Sequence, residues 1–139
     1  MIDLYNYEIF VDGVTSETSR RNAPYIETIT QLAKQGLGVS RLTTASIGLS
    51  GEVGEFNDIV KKILFQGKPF NKQNREKLES ELGDIMWYWA QACMALNLDP
   101  HQVIEKNIEK LEHRYPGGKF TIKSSEERVI YNMKTKPKQ

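Results

Sequence analysis

The chain has 139 residues, 39% of them hydrophobic and 27% charged, a size and composition that suit one domain around a single core. With 19 basic against 18 acidic residues the net charge is +1, so neither a nucleic-acid surface nor a membrane-binding patch is expected. The single cysteine, Cys93, permits no internal disulfide and no paired-thiolate zinc site, which fits a reducing compartment.

The stretch Met1 to Phe10 interleaves Asp3, Asn6 and Glu8 with apolar residues, so it is not expected to be a secretory signal, and a cytoplasmic location is expected. The segments Ile2 to Val11 and Ala23 to Gln35 read as short helices separated by the polar stretch Thr15 to Arg21, with Gly36 and Gly38 ending the second. From Arg41 to Leu64 the residues Ala45, Leu49, Val53, Phe56, Val60 and Ile63 recur at steps of three and four, the stripe of a long helix. Gly67 and Pro69 then break the chain. Leu78, Leu82, Ile85, Trp89, Cys93 and Leu96 set out a second long stripe of the same period. Its most apolar part, Ile85 to Leu96, is interrupted by Gln91 and falls well short of the ~20 residues of a membrane helix. Asp99, Pro100 and Gln102 supply the cap, first-turn proline and third-position amide of a further helix, closed by Gly117 and Gly118. The fold class read from these elements is all-α, an antiparallel bundle of about five helices. A β-branched run at Thr121 and Ile122, or around Val129 and Ile130, leaves room for a short strand pair. The cluster Lys134, Lys136, Pro137 and Lys138 reads as a loosely held tail.

The chemistry lies in two acid pairs, Glu52 with Glu55 and Glu81 with Asp84, each spaced i to i+3 and so on one face of its helix. Spacing alone says little, since about two such pairs are expected by chance in a chain with this many acids. Their setting says more. At ~100° per residue, Glu52 falls at the edge of the apolar stripe with Glu55 beside it, and Glu81 and Asp84 interleave with Leu82 and Ile85. A short turn makes the two helices antiparallel neighbours, and both pairs lie ~15 Å from that turn. Four carboxylates at one semi-buried level call for a hard divalent cation, Mg²⁺ or Mn²⁺. His101 and His113 sit on another helix without the HExxH spacing, so zinc is not indicated. Gly48, Gly51 and Gly54 each cost a helix ~1 kcal/mol against Ala. They point either to close helix packing or to a substrate approaching the backbone. Tyr88 shares the face of Glu81 and Asp84 and reads as core or subunit contact before it reads as a base-stacking ring. No phosphate-binding GxxxxGK[ST] loop and no nucleophilic triad is present.

At these residues the sequence resembles the MazG-type all-helical nucleotide pyrophosphohydrolases, whose signature is ExxE, a spacer, then ExxD. Here it reads Gly51-Glu52-Val53-Gly54-Glu55 and Glu81-Leu82-Gly83-Asp84, continued by Asn107-xx-Lys110-Leu111-xx-Arg114. The similarity extends over about Arg41 to Phe120 and places one MazG-like domain at residues 1–120, with core motifs at 41–120 and an extension at 121–139. It implies hydrolysis of a nucleoside triphosphate to a monophosphate and pyrophosphate. Glu52, Glu55, Glu81 and Asp84 would then hold Mg²⁺ or Mn²⁺, with Glu52 and Glu55 counted among the catalytic groups. Lys62, on the Glu55 side of its helix, is a catalytic and phosphate-binding candidate, and Asn107, Lys110 and Arg114 share one face at i, i+3 and i+7 as phosphate contacts. The competing expectations are a phosphoribosyl-ATP pyrophosphohydrolase and a catalytically silent helical oligomer that binds a partner protein. Trp87 and Trp89 cannot both face one core, so a homo-oligomer, dimer or tetramer, is expected.

Overall fold

A computed structural model of the chain describes residues 3–126. The described residues form seven α-helices and no strand: α1 (Leu4–Val14), α2 (Glu17–Arg20), α3 (Asn22–Lys34), α4 (Val39–Phe65), α5 (Lys72–Ala95), α6 (Pro100–Arg114) and α7 (Ile122–Glu126). The chain is all-α, and α1, α3, α4, α5 and α6 are the five helices read from the sequence. Two single-turn additions depart from that reading. Within the polar stretch Thr15 to Arg21, Ser16 caps α2 by accepting from the Ser19 amide. Ile122 lies in a helix and not a strand because the Thr121 hydroxyl accepts from the Ser124 amide and starts α7. The Val129 and Ile130 alternative and the Lys134–Gln139 tail lie outside the described residues.

Two compact units are distinguished, Met1–Asn97 and Leu98–Gln139. The first is organised by the α4–α5 hairpin. Its closing loop is held by Gly67 at φ 70°, by the Lys68 amide donating to the Lys62 carbonyl (3.1 Å), and by the buried Asn74, whose side-chain amide donates to the Pro69 carbonyl (2.7 Å). Asn71 caps α5 through the Asn74 amide (3.0 Å). At the far end the Gly38 amide donates to the Ala95 carbonyl (3.1 Å), and between these ends Gly48 meets Tyr88. The start of one helix therefore lies beside the end of the other, and the pair is antiparallel.

The packed faces differ in part from the apolar stripes read from the sequence. On α4, Ala45 and Ile59 are buried while Val53 is 43% exposed; on α5, Cys93 and Ala95 are buried while Leu82 and Leu96 are 50% and 44% exposed. The α4 stripe residues Leu49, Phe56, Val60 and Ile63 stay half-buried beside Ala45. The buried Ile59, about 40° to the Glu52 side of Ala45 on a 100° wheel, widens the packed face over Glu52 while Val53 falls outside it. Residues at Gly48, Glu52, Glu81 and Tyr88 take seam positions that a purely hydrophobic count assigns to neighbours. In the second unit, Asp99 caps α6 through the His101 amide (2.9 Å) with Pro100 at its start, and Gly117 and Gly118 at φ 88° and 69° end it. No helix among the described residues is long and apolar enough to cross a membrane.

Candidate functional site

The antiparallel hairpin sets the acid pairs of α4 and α5 side by side. One carboxylate oxygen each of Glu52, Glu55 and Glu81 lies within 4.8 Å of the others, with Glu52 and Glu81 half-buried and Glu55 exposed. Asp84, one turn further along α5, stands outside that group, yet its charge reaches Glu52. The Glu52 carboxyl titrates above its ordinary value of 4.5. Burial is the largest cause, followed by the charges of Glu55, Asp84 and Glu81 and a hydrogen bond shared with Glu81. Glu52 thus sits among like charges, and no cation among the described residues contributes to its titration. All donors of the carboxylate group are hard oxygens with neither sulfur nor imidazole, and they fit Mg²⁺ or Mn²⁺.

Beside this group lies an open recess of about 320 Å³ lined by Gly51, Gly54, Glu55, Asp58, Ile59 and Glu81. Gly51 and Gly54 have open space where a side chain would be, whereas a Cβ at Gly48 would overlap the ring of Tyr88. The three glycines thus divide between the two explanations: Gly48 serves helix packing, and Gly51 and Gly54 leave the recess floor bare. Tyr88 is a packing residue of the seam, with Trp87 edge-on to it at 4.8 Å between ring centroids.

Asp58, which lies off the apolar stripe, also lines the recess. Its Oδ1 accepts from Lys61 Nζ (2.7 Å) and its Oδ2 pairs with Lys62 Nζ, and these two lysines hold its carboxyl down at about 2. The signal in the sequence was the Asp-xx-Lys-Lys spacing, i to i+3 and i+4, that pairs opposite charges on one helical face. Lys62, expected to face the phosphates, is thereby tied to a residue of the recess wall. Asn107, Lys110 and Arg114 lie on α6 in the second unit, the first two exposed and Arg114 half-buried.

Fold and site together define an all-α protein with a cluster of carboxylates on a pair of antiparallel helices. Residues 41–119 match the family model of the MazG nucleotide pyrophosphohydrolase domain, and the chain belongs to that family. It is also 38% identical over 81 residues to the "Gene 37 protein" of Mycobacterium phage L5, an alignment covering 58% of this chain and 71% of the phage protein. No solved structure matches the chain significantly. Membership in the family implies a hydrolase acting on phosphoric anhydrides, of a kind generally dependent on divalent metal.

Proposed function

We propose that this protein is a Mg²⁺- or Mn²⁺-dependent nucleoside triphosphate pyrophosphohydrolase that converts a (d)NTP to the (d)NMP and pyrophosphate. The observation that carries the reading is the convergence of Glu52, Glu55 and Glu81 within 4.8 Å beside an open recess. In this reading Glu52, Glu55, Glu81 and Asp84 hold the cation. The cation, when bound, neutralises phosphate charge and lowers the pKa of a water. One glutamate of the Glu52–Glu55 pair accepts a proton from the attacking water. Lys62 faces the phosphate chain from the Glu55 side of α4, and Asn107, Lys110 and Arg114, on one face of α6, are assigned charge-assisted phosphate contacts by the family resemblance.

Residues 1–120 act as one functional domain in this reading, supported by a family match that runs through both compact units. Assembly of two or more copies belongs to it as well. Ile47, Phe65 and Trp87 are 69%, 80% and 53% exposed on the hairpin, apolar surface that a second copy would cover. The protein is taken to work in the cytoplasm on free nucleotides.

The test is pyrophosphate release from a panel of ribo- and deoxyribonucleoside triphosphates with Mg²⁺, Mn²⁺ and chelator. Metal-dependent release, abolished by combining Glu81→Gln with Asp84→Asn at parent-like stability in chelator, is the expected result. Turnover of phosphoribosyl-ATP alone, or no turnover with a retained protein-binding role, would replace the reading by one of its rivals.

A further inference from the structure

We propose that Asp58 is a positioning residue for the phosphate end of the site: it bridges Lys61 and Lys62 and holds both ammonium groups at the edge of the recess lined by Glu55 and Glu81. This rests on the reading above, in which that recess receives the phosphate chain of a metal-bound nucleotide.

The geometry sets Asp58 apart from an ordinary surface ion pair. It spends both oxygens at once, Oδ1 on Lys61 and Oδ2 on Lys62, while its carboxylate forms part of the recess wall with Glu55 and Glu81. Placed at ~100° per residue, Gly51, Asp58, Lys62 and Glu55 fall within about 60° of one another on α4. Lys62 is therefore fixed on the recess side of the helix by a residue that belongs to the recess, while Lys61, about 60° further round α4, is held at its outer edge by the other oxygen of the same carboxylate. Charge follows the same division. Asp58 with its two lysines carries one net positive charge, whereas Glu52, Glu55, Glu81 and Asp84 are all acids. One end of the site is suited to a cation and the adjoining end to phosphate oxygens.

A free lysine loses much rotamer freedom when it meets a phosphate, and an anchor that has already ordered the stem removes that loss from the binding step. Asp58 is a poor proton acceptor, since its carboxyl stays ionised down to about 2, and it stands outside the group of Glu52, Glu55 and Glu81 with both oxygens engaged by lysines. Its contribution is thus to binding of the phosphates through Lys61 and Lys62.

Asp58→Asn keeps the shape of the side chain and removes the charge. The experiment measures kcat and KM for the preferred triphosphate, inhibition by inorganic pyrophosphate, calorimetric binding of Mg²⁺ alone and of Mg²⁺ with pyrophosphate, and the melting temperature. Asp58→Asn is expected to raise KM and weaken pyrophosphate binding about tenfold, with kcat changed less than KM and with Mg²⁺ binding and melting close to the parent. Lys61→Ala with Lys62→Ala should lose at least as much, and adding Asp58→Asn to that pair should cost nothing more. Asp58→Glu, which still reaches both lysines, should restore part of the loss. Unchanged KM and pyrophosphate binding would overturn the proposal and leave Asp58 a surface ion pair of little consequence. Additive losses would overturn it also, and loss of Mg²⁺ binding alone would make Asp58 a metal ligand instead. Were the parent to turn over no triphosphate, the function reading would fail on its own, and the Mg²⁺–pyrophosphate titration of parent and Asp58→Asn would still decide the role of Asp58.

Discussion

Gly48→Ala separates the packing of the seam from the chemistry of the recess. In an exposed helix interior the change gains ~1 kcal/mol, because alanine loses less backbone entropy than glycine. At this position the new Cβ would overlap three carbons of the Tyr88 ring, and overpacking of that kind costs ~1 to 3 kcal/mol. Tyr88 is half-buried with Trp87 edge-on against it, so the ring has little freedom to retreat and the cost outweighs the gain. Gly51→Ala is the control, since nothing lies within 4 Å of its Cβ position and the full helix gain of ~1 kcal/mol is available. The two variants should therefore differ by ~1 to 3 kcal/mol, which for a chain of this size is at least ~3 °C in melting temperature. Thermal melts followed by far-ultraviolet circular dichroism in chelator supply the measurement. Tyr88→Ala should relieve the penalty, so that Gly48→Ala becomes stabilising in that background. A Gly48→Ala protein melting at or above Gly51→Ala would refute the close approach of α4 and α5 at this level. Because Gly51 lines the recess, its alanine variant should also raise KM while raising stability.

Glu52 titrates above 4.5 in the folded protein, so its protonation favours folding: the contribution is complete below about 4.5 and is lost as pH rises through the raised value. In chelator, the melting temperature of the parent should fall between pH 4.5 and neutrality more steeply than that of Glu52→Gln; equal slopes would refute an uncompensated Glu52. Asp58 has the opposite sign, since its folded carboxyl lies at about 2 against an ordinary 3.8. Its stabilisation is present above 3.8 and fades as pH falls toward 2, an acid limb that Asp58→Asn should flatten in pH-dependent melts. Lys110→Ala and Arg114→Ala should each lower kcat/KM by about ten- to a hundredfold, the value of one charge-assisted phosphate contact, with the melting temperature little changed. Parent-like turnover in both would make them surface residues.

The sequence by itself determined the helices, because a 3.6-residue apolar period, capping acids such as Asp99 and breakers such as Gly67 and Pro69 act within a few residues of chain. It also placed the acids of the ExxE and ExxD pairs side by side, as Glu52, Glu55 and Glu81 are, within 4.8 Å of one another. Which residues of α4 and α5 face each other was decided by tertiary packing. The stripe through Val53 and Leu82 was the more hydrophobic choice, yet the Tyr88 ring packs where Gly48 has no side chain, Glu52 is half-buried, and Val53 and Leu82 are 43% and 50% exposed. Hydropathy counts apolar atoms along one helix and carries no information on which facing residues have the shape to interlock. The same limit hid Asp58. Its pairing with Lys61 and Lys62 is local and readable at i+3 and i+4, but its place in a recess wall shared with Glu81 exists only once α5 has folded back along α4 and a residue more than twenty positions away has become a neighbour.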